Sequence, residues 1–122
     1  MVKVAIASSD GKNVNEHFGR AAFFHIYCLS ESDYSKEGIR DVVAACQHVR
    51  GHSETNFERV LSLVSDCDAL LVSKIGESAA AYLIERNVRV FEVQGEIDAV
   101  LKKIIAERLL KKETSYEKST IN

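Results

Sequence analysis

Between Val14 and Ala21 the chain reads VNEHFGRA, which sets an imidazole, an aromatic ring, a glycine and a guanidinium on the consecutive positions His17, Phe18, Gly19 and Arg20. A neutral imidazole on a short, tightly turned loop can present one ring nitrogen to a metal or another ligand. In that arrangement Phe18 anchors the loop in the core, Gly19 supplies a turn that needs a positive φ, and Arg20 can pair with an anion. On these residues alone a plainer reading stays open, in which His17 and Arg20 are solvated loop residues.

A second group, CQHVRGH, places Cys46, His48 and His52 within seven residues. A thiolate beside imidazoles suits zinc, copper(I) or an iron-sulfur species, although the spacing matches no standard zinc site. The alternative is that Cys46 closes a strand as a small apolar residue and both histidines face water. His52 and Ser53 stand just before a helix start, where unsatisfied N–H groups and the positive dipole end favour an anion. A negatively charged metal cluster meets both conditions.

Other reactive side chains point to structure. His25 lies in a strand among Phe23, Tyr27 and Leu29 and is expected to be a hydrogen-bonded core residue, as are Cys28 and Cys67 as packing residues. SKIGES (Ser73–Ser78) offers one glycine before a helix, with neither Walker spacing nor G-x-G-x-x-G. Magnesium-dependent nuclease chemistry needs converging carboxylates, yet the first strand carries only Lys3 as a charge and Asp10 has no evident partner. No nucleophile elbow is present, so catalysis is not expected.

The loops bearing these residues are bounded by elements of recognisable period. Val2, Val4 and Ile6 alternate with Lys3 and Ala5 as a half-buried strand does, and Ser8–Asn13 then forms a turn. Ala22–Ser30 and Ile39–Cys46 read as two further strands, so the first third is expected to be an antiparallel meander. Phe57, Val60, Leu61 and Val64 then fall at helical spacing, with Thr55 and Glu58 as a capping box. A buried strand (Asp68–Ser73), a helix ending at Asn87, a strand (Val88–Val93) and a helix striped by Ile97, Val100, Leu101, Ile104 and Ile105 complete the pattern. The expectation is an α/β fold with a five-stranded mixed sheet, one domain over residues 1–112, and a flexible tail over 113–122.

Composition narrows the partners. Sixteen basic against eighteen acidic residues give a net charge of -2, without the cationic stripe that a phosphate backbone requires, so nucleic acid is not expected. No apolar run approaches the ~20 residues needed to span a bilayer, and no membrane partner is expected. Three cysteines without a C-x-x-C pair argue for reduced thiols and a cytoplasmic location.

Three stretches carry a more specific resemblance: VAIASSDGKNVNEHFGRAAFFHIY, SDCDALLVSKIG and NVRVFEV. In their order and spacing they resemble the dinitrogenase iron-molybdenum cofactor biosynthesis family, which includes NifX-like and NafY-like carriers and the C-terminal domain of NifB proteins. The resemblance covers about residues 2 to 110. It implies a ribonuclease H-like, three-layer fold without nuclease carboxylates. It also implies a carrier of iron-molybdenum cofactor or an iron-sulfur precursor, exchanging its cluster with donor and acceptor proteins of nitrogenase-type assembly. The family's H-F-G histidine matches His17, and Cys46 lies in a loop where relatives carry cysteine. Together they are the expected metal ligands, with Phe18, Gly19, Arg20, His48 and His52 around them. The 122 residues carry no radical-SAM cysteine triplet, so synthesis of the cluster precursor is not implied. The other readings are a regulatory or protein-interaction module, or a small anion-binding domain using the helix starts at Gly76 and His52.

Overall fold

The computed structural model describes residues 2–42, 56–107 and 119–121. Its strands are β1 (Val2–Ala7), β2 (Asn13–Val14), β3 (Phe23–Leu29), β4 (Tyr34–Asp41), β5 (Ala69–Val72), β6 (Arg89–Val93), β7 (Gly95–Glu96) and β8 (Ser119–Ile121). Its helices are α1 (Asn56–Val64), α2 (Glu77–Glu85) and α3 (Ile97–Ala106). One sheet runs in the order β4-β3-β1-β5-β6-β8, and β2 pairs with β7 beside it. β3 is antiparallel to β1 and to β4, whereas β1, β5, β6 and β8 pair in parallel.

The parallel centre must be covered on both faces, because crossover helices pack on each side of it. On one face Ala5, Ala7, Phe24, Ile26, Leu70 and Val72 meet Leu61 and Val64 of α1 and Ala79, Ala80 and Leu83 of α2. On the other, Val4, Ile6, Tyr27, Leu71 and Phe91 meet Ile97, Val100, Leu101 and Ile104 of α3. Each such large side chain contributes roughly 1.5–3 kcal/mol on burial, so these two cores fix the sheet that carries the loops.

The expected five-stranded mixed α/β sheet is present, with three departures. The third strand, expected over Ile39–Cys46, is formed by Tyr34–Asp41, and residues 43–46 of the expected span lie outside the described residues. Its turn is made earlier, where Ser30 N donates to Asp33 O at 2.8 Å, and the strand is an edge whose polar side chains hide its period. A bulge also breaks its alternation, since Ile26 pairs with Gly38 while Tyr27 pairs with Lys36. Second, a short pairing not expected from the sequence joins Gly95 and Glu96 to Val14 and Asn13 just before α3, whose N-cap is Glu96. Third, the tail expected over 113–122 contributes Ser119–Ile121 as a sixth strand against Phe91–Val93. The helix expected to end at Asn87 ends at Glu85, and Asn87 follows in the left-handed conformation that asparagine tolerates, with φ 67°. Thr55 of the expected capping box lies outside the described residues.

Candidate functional site

Because β1 and β5 are parallel, their carboxyl ends open on the same edge of the sheet, where α/β folds gather ligand-binding loops. The exit from β1 is a tightly bonded turn. Asp10 Oδ1 accepts from the amides of Lys12 (2.8 Å) and Asn13 (2.9 Å), and Ser8 Oγ accepts from the Gly11 amide at 2.9 Å. Those backbone donors hold the Asp10 carboxyl well below the usual carboxylate range. Asn15 adds a second clasp, its Oδ1 accepting from Ser9 N at 3.0 Å and its Nδ2 donating to Ser9 Oγ at 3.1 Å. Gly11 takes φ +73°, which glycine adopts without the penalty that a side chain carries.

The chain then reaches the end of β5. Ser73 N donates to Glu16 O at 3.0 Å and Phe18 N donates to Lys74 O at 2.8 Å, so His17 bridges to Lys74 in parallel. A single 3-10 turn, Phe18–Arg20, follows. Phe18 is buried with its ring 5.8 Å from that of Phe24, whereas His17, Gly19 and Arg20 are exposed. The main chain and one ring thus hold the loop, leaving the imidazole and the guanidinium facing outward.

Gly19 departs from the expectation of a positive φ: among the described glycines only Gly11 and Gly95 have one. A Cβ at Gly19 would meet nothing within 4 Å, so what glycine provides there is open space beside His17. Gly76 is open in the same way and is the N-cap of α2, whose first turn receives no side-chain cap. Between them the Ile75 amide donates to Glu92 Oε2 at 3.0 Å, which ties the end of β6 to the site. Ser73 Oγ is buried without a hydrogen-bond partner among the described residues.

Cys46, His48 and His52 lie outside the described residues. Within the described residues no group of three or more His, Cys, Asp or Glu side chains is placed to hold a metal ion. Cys67 is buried, and burial pushes its thiol up to about 12, the character expected of a packing residue. Half-buried Cys28 donates to Glu37 Oε2 at 3.0 Å. His25 is buried and hydrogen-bonded, also as expected.

Sequence reasoning missed Glu16, Ser73, Lys74, Ile75 and Glu92. Their part in the site is played mostly by backbone groups, and the pairing of Phe18 with Lys74 joins segments far apart in the chain, so no local pattern announces it.

A family model described as dinitrogenase iron-molybdenum cofactor matches residues 1–107. The FeMo cofactor biosynthesis protein NifB of Bradyrhizobium diazoefficiens is 36% identical over 87 residues, which are 71% of this chain and 17% of that protein. Protein NifY of Klebsiella pneumoniae is 31% identical over 90 residues, 74% of this chain and 37% of that protein. The chain therefore spans only a minor part of the length of these relatives. The crystal structure of PH0822 superposes with a TM-score of 0.67 at 24% identity, covering 93% of this chain and 97% of that one, and so shares the fold.

Proposed function

Because the chain belongs to the dinitrogenase iron-molybdenum cofactor family over residues 1–107, we propose that it carries a metallocluster without catalysing a reaction of its own. The cargo is iron-molybdenum cofactor or an iron-sulfur precursor, received from and delivered to cluster-assembly proteins. The observation that carries this reading is the exposed His17 imidazole on a loop held by Phe18 and by main-chain bonds to Ser73 and Lys74. A carrier must protect its cargo and still release it, which favours few protein ligands over a closed cage. One nitrogen on an anchored loop, with open space at Gly19 and a cation at Arg20, suits a bulky anionic cluster. Cys46 is the second proposed ligand, with His48 and His52 flanking it.

The ribonuclease H-like label belongs to the same proposal and is supported by the order of the five main strands, β4-β3-β1-β5-β6. So do the single domain expected over 1–112, extended by the pairing of Ser119–Ile121 with β6, and a cytoplasmic site of action, for which the support is three cysteines without a C-x-x-C pair. Among the described residues no helix is long and apolar enough to cross a membrane.

Anaerobic titration of the chain with isolated iron-molybdenum cofactor, and separately with iron and sulfide, tests the reading by absorption and EPR spectroscopy. A saturable change in the cluster's spectrum is expected, weakened by His17→Ala. Spectra that equal the sum of the separate components would overturn it. In that case the uncapped start of α2 at Gly76 favours a small-anion module instead.

A further inference from the structure

A continuous line of hydrogen bonds runs from the Glu92 carboxylate to the main chain of His17 and Arg20. Glu92 Oε2 accepts from the Ile75 amide at 3.0 Å. The other end of that same planar peptide group is the Lys74 carbonyl, which accepts from the Phe18 amide at 2.8 Å. The Phe18 amide shares its own peptide group with the His17 carbonyl, which accepts from the Arg20 amide at 3.0 Å. Two peptide groups from remote segments are therefore strung head to tail, with the carboxylate at the accepting end.

The sheet explains how the carboxylate arrives there. Val90 packs into the core covered by α1 and α2, and side chains two residues apart share a face of a strand, so Glu92 emerges on that side as well. It stands opposite Val72, the last residue of β5, and reaches past it to the segment that runs into α2. Ile75 is buried in that segment, and its amide falls between the β5 ladder and the first turn of α2, where a main-chain donor left without an acceptor is costly. Glu92 is half-buried between buried Phe91 and Val93, in a strand paired on both sides, which is a poor place for a carboxylate as packing. The bond to Ile75 gives it a role that an apolar residue could not fill.

We propose that Glu92 is a positioning residue for the His17 loop. By fixing the plane of the Lys74–Ile75 peptide group, it fixes the direction from which the Phe18 amide docks, and with it the seat of the His17 imidazole and of Arg20. Turning that plane breaks both of its hydrogen bonds at once. A carboxylate on the N–H end also polarises the amide and strengthens its oxygen as an acceptor, and bonds aligned in this way reinforce one another. In this role Glu92 touches no cargo. Its effect on cargo affinity rests on the carrier reading, whereas its effect on the loop does not.

Three substitutions separate the acceptor from charge and bulk. Glu92→Ala removes it, Glu92→Asp keeps the charge but draws it back by one methylene, and Glu92→Gln restores a neutral oxygen at full reach. Amide exchange at Phe18 is followed by NMR against that at Ala5 and Leu70, which are fully buried in the middle of β1 and β5 and report opening of the whole sheet. Glu92→Ala and Glu92→Asp should speed exchange at Phe18 about tenfold beyond any change at Ala5 and Leu70, the scale of one main-chain hydrogen bond weakened in a buried site. Glu92→Gln should return it most of the way. Anaerobic titration with isolated iron-molybdenum cofactor should rank the proteins in the same order, with a loss of affinity of about threefold or more in the Ala and Asp variants.

Phe18 exchange that moves only in step with Ala5 and Leu70, or that is as fast in Glu92→Gln as in Glu92→Asp, would overturn the proposal. The contrast between Asp and Gln decides it even if Glu92→Ala does not fold. Cofactor affinity that holds level while Phe18 exchange rises would overturn the effect on cargo. Wild type that binds no cofactor would overturn the carrier reading instead, and the exchange measurement, which needs no cargo, would still decide the role of Glu92 in the loop.

Discussion

The amide of Phe18 donates to the carbonyl of Lys74 at 2.8 Å, and this bond joins the loop after β1 to the end of β5 while leaving the neighbouring His17 imidazole exposed. Anchoring and presentation are thus divided between adjacent residues. Phe18→Ala should destabilise the fold by about 3–5 kcal/mol, the usual cost of deleting a buried aromatic ring. His17→Ala should leave melting and circular dichroism unchanged but weaken cluster binding tenfold or more, a loss of about 1.4 kcal/mol or greater. Thermal unfolding and anaerobic cluster titration of both variants separate the two roles, and equal effects on stability would contradict the division.

Two glycines of the same loop should respond oppositely to alanine. At Gly11 the positive φ and the His25 ring 3.2 Å from a new Cβ both oppose substitution, and a cost of about 1–3 kcal/mol is expected. At Gly19 nothing lies within 4 Å and φ is ordinary, so Gly19→Ala should change stability by no more than about 0.5 kcal/mol. Denaturant melts of the two variants check this, and a Gly19→Ala cost matching that of Gly11→Ala would count against the described loop.

Cys67 should resist alkylation in the folded state, since burial both shields it and pushes its thiol up to about 12. Peptide-resolved mass spectrometry after iodoacetamide treatment near pH 8 should find it modified only after denaturation. Cys67→Ala should cost roughly 1–2 kcal/mol of stability, as small core truncations do, and leave cluster affinity unchanged. Rapid native labelling would show that the α1–β5 junction opens readily.

Arg40 fastens the edge strand β4 to the segment after α1. Its Nη1 reaches Asp66 Oδ1 and Leu63 O, each at 2.6 Å, and its Nη2 reaches Asp66 Oδ2 at 3.0 Å. The guanidinium holds the Asp66 carboxyl below its ordinary 3.8. A carboxylate lowered on folding stabilises above its unfolded value and loses that contribution as pH falls through the folded one. Arg40→Ala should therefore cost about 1 kcal/mol near neutral pH, because Asp66 is half exposed and well solvated. It should also flatten the acid branch of the stability curve below about pH 4. Urea melts at several pH values read both effects, and parallel acid branches would exclude the pair as their source.

The sequence by itself determined the elements whose period is set by burial. The short apolar run at Ala69–Val72 and the α3 stripe were legible, because each reflects a repeat that a packed face demands; β1 was legible as a strand, but it is buried on both faces from Val4 to Ala7 and not half-buried, because helices cover the sheet on each side. The anchoring role of Phe18 was legible as a residue type, and the family resemblance in the flanking motifs singled out His17 beside it as the proposed ligand. Only the tertiary structure decided the rest. The start of β4 was placed five residues late, at Ile39 and not Tyr34, because an edge strand exposes its polar side chains and a bulge breaks its period. Gly19 was assigned a backbone need that belongs to Gly11, since a tight turn can be recognised from composition but its φ values depend on what it packs against. The hooks at Ser73, Lys74 and Glu92 left no local trace, because main-chain bonds between remote segments depend on the register of the sheet and not on which side chains those segments carry.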